Sequence, residues 1–317
     1  MKGKALLTRL LISAVIVYFF LKKIELRDIV TALTSAQHGY LILAFMVALL
    51  AWFVAAIKWQ LLVPNKALSI QRAFQLTLIT LSYSFLLPGG QFTGEVGKFL
   101  HTQNTQSTIS RSSVFISIVY DKMLGIWAII CIGFAGSLLD RAHSFKMQYL
   151  YAVLLAIVTV ALIIMINTKA LSKLINLLNQ LRLRPALKLF FSRLPILKQT
   201  LQNQSGKISY SLLLSLLYQL LIILVFWILA QSLDVKLSFI SLMWIGSAVG
   251  FLTALPITYA GLGIREMSFV YLFSLYGIGA GRAVAFSLLI YVVISVGSLS
   301  GLALILRDYA TKKQPLA

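Results

Sequence analysis

The chain has 317 residues, of which 60% are hydrophobic and 11% charged, and 28 Lys and Arg against 8 Asp and Glu give it a formal net charge of +20. A soluble domain carries roughly 25% charged residues, so the composition excludes one and predicts an all-α, polytopic membrane helix bundle, a single membrane domain over residues 1–317. In a soluble protein such a charge would suggest nucleic acid; here the bases flank apolar spans, so no nucleic-acid partner is expected and the charge serves orientation and contact with anionic lipid.

The first apolar run, Leu10 to Leu21, follows Lys2, Lys4 and Arg9 as in a signal peptide. Lys22, Lys23 and Glu25 come next instead of a small-residue cleavage site, which predicts a retained, short span over 5–21. Further spans are expected at 40–62, 70–88, 112–139, 148–167, 209–231, 238–255 and 282–306, about eight full spans in all, each suited to a hydrocarbon core of ~30 Å. Two interruptions separate them. Leu-Leu-Pro-Gly-Gly-Gln-Phe-Thr-Gly-Glu-Val-Gly-Lys runs from Leu86 to Lys98, and Leu-Pro-Ile-Thr-Tyr-Ala-Gly-Leu-Gly-Ile-Arg-Glu from Leu255 to Glu266. Each stops an apolar run at a proline, crosses glycines, then delivers an acid and a base. Backbone freed from helical pairing cannot face lipid, so 89–105 and 256–278 are expected to be broken or re-entrant helical elements that line a wet cavity. Pro88, Gly89, Gly90, Gly94, Pro256, Gly261 and Gly263 are assigned to helix-break geometry.

Letting both broken elements cross puts most Lys and Arg on one side, together with the basic 168–208 loop, and predicts cytoplasmic N- and C-termini in the cytoplasmic (inner) membrane of a prokaryote. The units 40–139 and 209–306 then run in opposite directions, an inverted repeat. Pro88 and Pro256, Arg111 and Arg282, and Tyr40 and Ser209 are each offset by about 170 residues, as such a repeat requires. Within 168–208, Leu171, Leu174, Ile175, Leu178 and Leu181 share a helical face opposite the bases, which reads as an amphipathic connector on the cytoplasmic leaflet.

Six charges fall in or beside the broken elements or inside a span: Glu95, Lys98, Asp121, Lys122, Arg265 and Glu266. A charge at the bilayer centre costs ~2.5–3.5 kcal/mol even on insertion scales, so each needs a partner or water. One reading makes them interhelical clamps. The other makes them a substrate-binding site, with Lys98 and Arg265 offering charge to a phosphate while Glu95, Asp121 and Glu266 tune it or carry protons. If the repeats meet centrally, the pairs should cross between them, Arg265 near Glu95 or Asp121 and Glu266 near Lys98 or Lys122. Half-helix N-termini after Gly94 and Gly263 would add N–H groups. Cys131 is the one cysteine, His38, His101 and His143 are scattered, and the 8 acids form no metal-binding group, so no metal, cofactor or intrinsic catalysis is expected.

Ala-Ile-Lys-Trp-Gln-Leu-Leu (56–62), Leu-Pro-Gly-Gly-Gln-Phe-Thr-Gly-Glu (87–95) and the 255–266 run resemble the transmembrane region of lysylphosphatidylglycerol synthases, a family that also contains stand-alone, flippase-like proteins. The resemblance covers essentially the whole chain, and Gly-Leu-Gly-Ile-Arg-Glu is its most specific part. It implies translocation of a lipid with a charged headgroup, such as an aminoacylated phosphatidylglycerol or a polyprenyl-linked intermediate. The alternative is a non-transporting lipid-binding accessory that scaffolds a lipid-biosynthetic enzyme. In two respects the sequence departs from the family. Where an acid–Arg pair with a second acid three positions on is usual, it has Asp121-Lys122 and then Gly125, and it lacks the synthases' soluble aminoacyl-transfer domain. The resemblance therefore does not imply that lysylphosphatidylglycerol is made, or is the lipid handled.

Overall fold

The computed structural model describes residues 26–63, 68–87, 90–105, 109–167, 205–254 and 261–312, and these fold into ten α-helices with no strand among them. In chain order they are α1 (Leu26–Thr34), α2 (His38–Leu62), α3 (Ile70–Leu86), α4 (Gly90–Thr105), α5 (Arg111–Leu139), α6 (Arg141–Ile166), α7 (Ser205–Ser232), α8 (Phe239–Ala254), α9 (Ile264–Ser274) and α10 (Ala280–Lys312). Helices are the expected solution, because an open backbone has nothing to bond to in hydrocarbon. Two of them start where the sequence supplies a cap. Ser69 and Ser110 accept the backbone N–H of Arg72 and Ser113, each at 3.2 Å.

Among the described residues five helices are long and apolar enough to cross a membrane: His38–Leu62, Arg111–Leu139, Met147–Ile166, Lys207–Ser232 and Ala280–Ala310. The other expected spans fare differently. α3, with 17 residues, is short; at 1.5 Å per residue it reaches only about 25 Å, less than a full core, and 16 residues of α8 are described, up to Ala254. The 5–21 span, Pro88, Gly89, Pro256 and all but the last residues of the 168–208 connector lie outside the described residues. The first break is also narrower than expected. α4 is already helical at Gly90, whose φ is 56°, so the stretch from Gly90 to Gly94 is not open backbone. α1 was not anticipated from the sequence; it buries Ile29 and packs against α10.

The helices fall into two sets of four with the same order of lengths. α2, α3, α4 and α5 run long, short, short, long, and so do α7, α8, α9 and α10. Their packing is reciprocal. α2 lies along α7, α3 packs on α10, and α5 packs on α8, so each set's short second helix rests on the other set's long last helix. α4 is held by α3 and α5, α9 by α8 and α10, and α6 packs on the outside of α5. Phe226, Phe269, Phe273 and Phe286 form an aromatic core with ring centroids 4.9–6.1 Å apart. A second core around Trp59, Leu76, Ile79 and Ile118 backs α2, α3 and α5.

The α3–α10 seam is made by backbone approach. A Cβ at Gly301 would fall 2.1 Å from the Leu78 carbonyl oxygen, and Ser82 donates to the Ser298 carbonyl alongside. Membrane helices associate largely through such small-residue contacts. Gly301→Ala is therefore expected to destabilise the purified protein by about 1–3 kcal/mol through overpacking. Gly39→Ala, where a Cβ meets nothing within 4 Å, should leave the thermal midpoint unchanged or raise it. Thermal unfolding in detergent compares the two.

Candidate functional site

A cavity of about 350 Å³ lies between the two sets and receives residues from every helix except α1 and α6. Six charged side chains among the described residues line it: Lys58, Glu95, Lys98, Asp121, Lys122 and Arg265. Lys58 sits about one turn from the end of the largely apolar α2, Glu95 and Lys98 are one turn apart on α4, Asp121 and Lys122 are mid-α5, and Arg265 opens α9. All but Arg265 come from the first set.

The first five form two close ion pairs and a third, from Lys98, at the limit of ion-pair reach. The Lys58 Nζ lies 3.0 Å from Asp121 Oδ1, an ion pair whose angle falls short of a hydrogen bond. The Lys122 Nζ lies 2.9 Å from Glu95 Oε1, whereas Lys98 Nζ is 4.0 Å from Oε2 of the same carboxylate. Lys98 instead lies 3.8 Å from the centre of the Trp59 ring. Trp59 is fixed there by its Nε1–H, which donates to Ser117 Oγ at 3.1 Å. Lys58, Lys98 and Asp121 are buried, and Lys122 keeps 41% of its side-chain surface free where it lines the cavity. Residues Lys122 and Asp121 point apart, as neighbours on a helix must, so the two pairs brace α5 against α4 and α2 respectively.

Arg265 is held differently. Its guanidinium carbon lies 4.3 Å from the Tyr291 ring centre on α10, no carboxylate among the described residues lies within ion-pair reach, and its Nη1 is buried without a hydrogen-bond partner. The expected crossing of pairs between the two sets is thus not what forms. Glu95 and Asp121 form ion pairs with lysines of their own set, and Glu266 turns away from the cavity to serve its own helix. The Gly263 N–H donates to Glu266 Oε2 at 2.6 Å and the Ser287 hydroxyl to Oε1 at 2.8 Å. Glu266 is the third residue after an N-cap glycine, a position from which an acid reaches back to the free N–H at the helix start. Gly261 and Gly263, with φ of 80° and 85°, occupy the left-handed region that lets the chain turn into α9, so here the expected break is present. Glu266→Ala should destabilise the protein by about 1–3 kcal/mol by orphaning two buried donors, with Glu266→Gln less harmful because one acceptor remains. Thermal unfolding of the two variants checks it.

Gly94 has another task than breaking a helix. It lies inside α4, and a Cβ there would fall 1.9 Å from Ser84 Oγ and 2.7 Å from the Thr80 carbonyl, so it lets α4 lie directly on α3. Lys58 is the residue the sequence reading passed over. It is the one charge within the 25 residues of α2, and an isolated lysine in a span was the signal that could have found it. A separate polar group ties α10 to α3 and α4: Asp308 Oδ2 accepts from Arg72 at 2.6 Å and lies 2.9 Å from His101 Nε2. Among the described residues no group of His, Cys, Asp or Glu converges as metal ligands.

A model of the family described as Lysylphosphatidylglycerol synthase TM region matches residues 6–301. The chain belongs to that family. As a member of the lysylphosphatidylglycerol synthase TM region family it is an integral membrane protein, in keeping with its five span-length apolar helices. The segments that carried the resemblance converge on the cavity: Lys58 from 56–62, Gly90 and Glu95 from 87–95, and Arg265 from 255–266. No curated protein matches the chain.

Proposed function

We propose that this protein translocates a lipid with a charged headgroup across the cytoplasmic membrane, binding the headgroup in the cavity between its two four-helix sets. The observation that carries this reading is Arg265, a cavity-lining guanidinium with a buried Nη1 that no group among the described residues answers. An unanswered buried donor on a charged group costs several kcal/mol unless something fills it, and a planar fork suits a phosphate. The repeated order of helix lengths and the reciprocal α3–α10 and α5–α8 packing support two related units, and we take them to be inverted, since opposite units around a central site are how many transporters expose one site to either side. The Lys and Arg bias of the loops supports cytoplasmic termini. The protein supplies binding and passage, not bond chemistry.

The test is reconstitution. Purified protein in liposomes should speed the transbilayer movement of a fluorescent anionic phospholipid, read as quenching of inner-leaflet label by a membrane-impermeant reductant. Binding of the lipid without any acceleration over empty liposomes would reject transport and favour a lipid-binding scaffold for a biosynthetic enzyme.

A further inference from the structure

Resting on that reading of the cavity, we infer that the headgroup it takes is doubly negative, a lipid phosphomonoester or diphosphate, and not an aminoacylated or zwitterionic one. Among the described residues the cavity lining contains four bases and two acids. Each acid already has a lysine at 3.0 Å or less, Lys58 on Asp121 and Lys122 on Glu95. Lys98 shares the Glu95 carboxylate only at 4.0 Å and Arg265 has no carboxylate in reach among the described residues, so these two, one from each four-helix set, carry a formal excess of two positive charges.

These two cations are kept in place in the same unusual way. Each lies over an aromatic face, Lys98 over Trp59 at 3.8 Å and Arg265 over Tyr291 at 4.3 Å. A ring face stabilises a cation by ~0.5–2 kcal/mol without occupying its N–H donors. A carboxylate would have neutralised the charge and consumed the donors together. Lys98 thus keeps its ammonium protons and Arg265 its fork available, with Nη1 already stripped of water.

Charge matching then selects among headgroups. A phosphodiester brings one negative charge and leaves one cation unanswered in a low-dielectric site. An aminoacyl ester brings a further ammonium into a site already in excess, where like charges repel. A phosphomonoester carries about −1.5 to −2 and three acceptor oxygens, enough for the bidentate arginine and the point-charge lysine at once.

The experiment measures binding alone, so it is separate from transport. The full chain in detergent micelles is titrated with short-chain phosphatidic acid, phosphatidylglycerol, lysylphosphatidylglycerol and inorganic phosphate, read by tryptophan fluorescence, since Lys98 sits on the Trp59 ring, and by thermal shift. Phosphatidic acid is expected to bind at least about tenfold more tightly than phosphatidylglycerol near neutral pH, with the preference collapsing at about pH 5, below the second phosphate pKa of about 6, where phosphatidic acid becomes a monoanion. Lys98→Gln and Arg265→Gln should each reduce the preference. Equal or tighter binding of phosphatidylglycerol or lysylphosphatidylglycerol by the unaltered protein overturns the inference, a result that needs no variant to fold. Inorganic phosphate binding as tightly as phosphatidic acid overturns the lipid assignment. Selective binding without translocation upholds the headgroup inference while rejecting transport.

Discussion

Arg265→Ala is expected to bring lipid translocation in proteoliposomes down by about 10- to 100-fold, since a hydrogen bond to a charged group contributes about 1.5–3 kcal/mol and each 1.4 kcal/mol is a factor of ten. Protein level and thermal stability should change little, because in the folded protein this side chain makes no ion pair among the described residues and rests only on the Tyr291 ring. Arg265→Lys should recover only part of the activity; an ammonium restores the charge but not the bidentate fork. The same preparations should be assayed for unfolding temperature and for transport. Arg265→Ala protein that unfolds at a markedly lower temperature would identify the guanidinium as a clamp with an unseen partner, and the headgroup role would fall with it.

The buried Lys58–Asp121 pair should behave in the opposite way, with large effects on stability and an asymmetry between its members. Removing one partner of a buried ion pair typically costs ~3–5 kcal/mol, since the other is left uncompensated. Around this pair the surroundings are not neutral. Asp121→Asn raises the cavity's excess of positive charge, with Lys58, Lys98 and Lys122 all lining the same space. Lys58→Met lowers the excess and leaves Asp121 with two other lysines on the cavity wall. Asp121→Asn is therefore expected to be the more destabilising change. The double variant Lys58→Met/Asp121→Asn should be more stable than Asp121→Asn alone, a coupling that a double-mutant cycle in thermal unfolding measures. Equal losses from the two single variants would mean that the pair is isolated from the rest of the cavity charge.

The sequence made the long apolar helices legible because lipid imposes length and composition on them. It was less informative where packing, not lipid, decides. Gly94 reads as a breaker in a Pro-Gly-rich run, yet its absent Cβ serves the contact with Ser84 and Thr80, which no local pattern reports. α3 reads as a full span because its flanks are apolar, while its helix stops at 17 residues. The site was half visible. Lys98, Lys122, Asp121, Glu95 and Arg265 stand out as charges in apolar sequence, and all five line one cavity. Their partners did not, since Lys58 lies in a different helix and the Trp59 and Tyr291 faces look like ordinary core. Glu266 was legible in another sense: an acid three residues after a glycine at a helix start is a capping signal, and that is the use the fold makes of it.

The two surplus cations belong to different halves, Lys98 to α4 of one set and Arg265 to α9 of the other. A ligand gripped by both is, mechanically, a crosslink between the two halves of the molecule. Any shift of one half against the other must stretch that link or let go of one end, so the strength of the grip becomes a gauge of the angle between the halves. Release then requires no competing charge, only a small separation of α4 from α9.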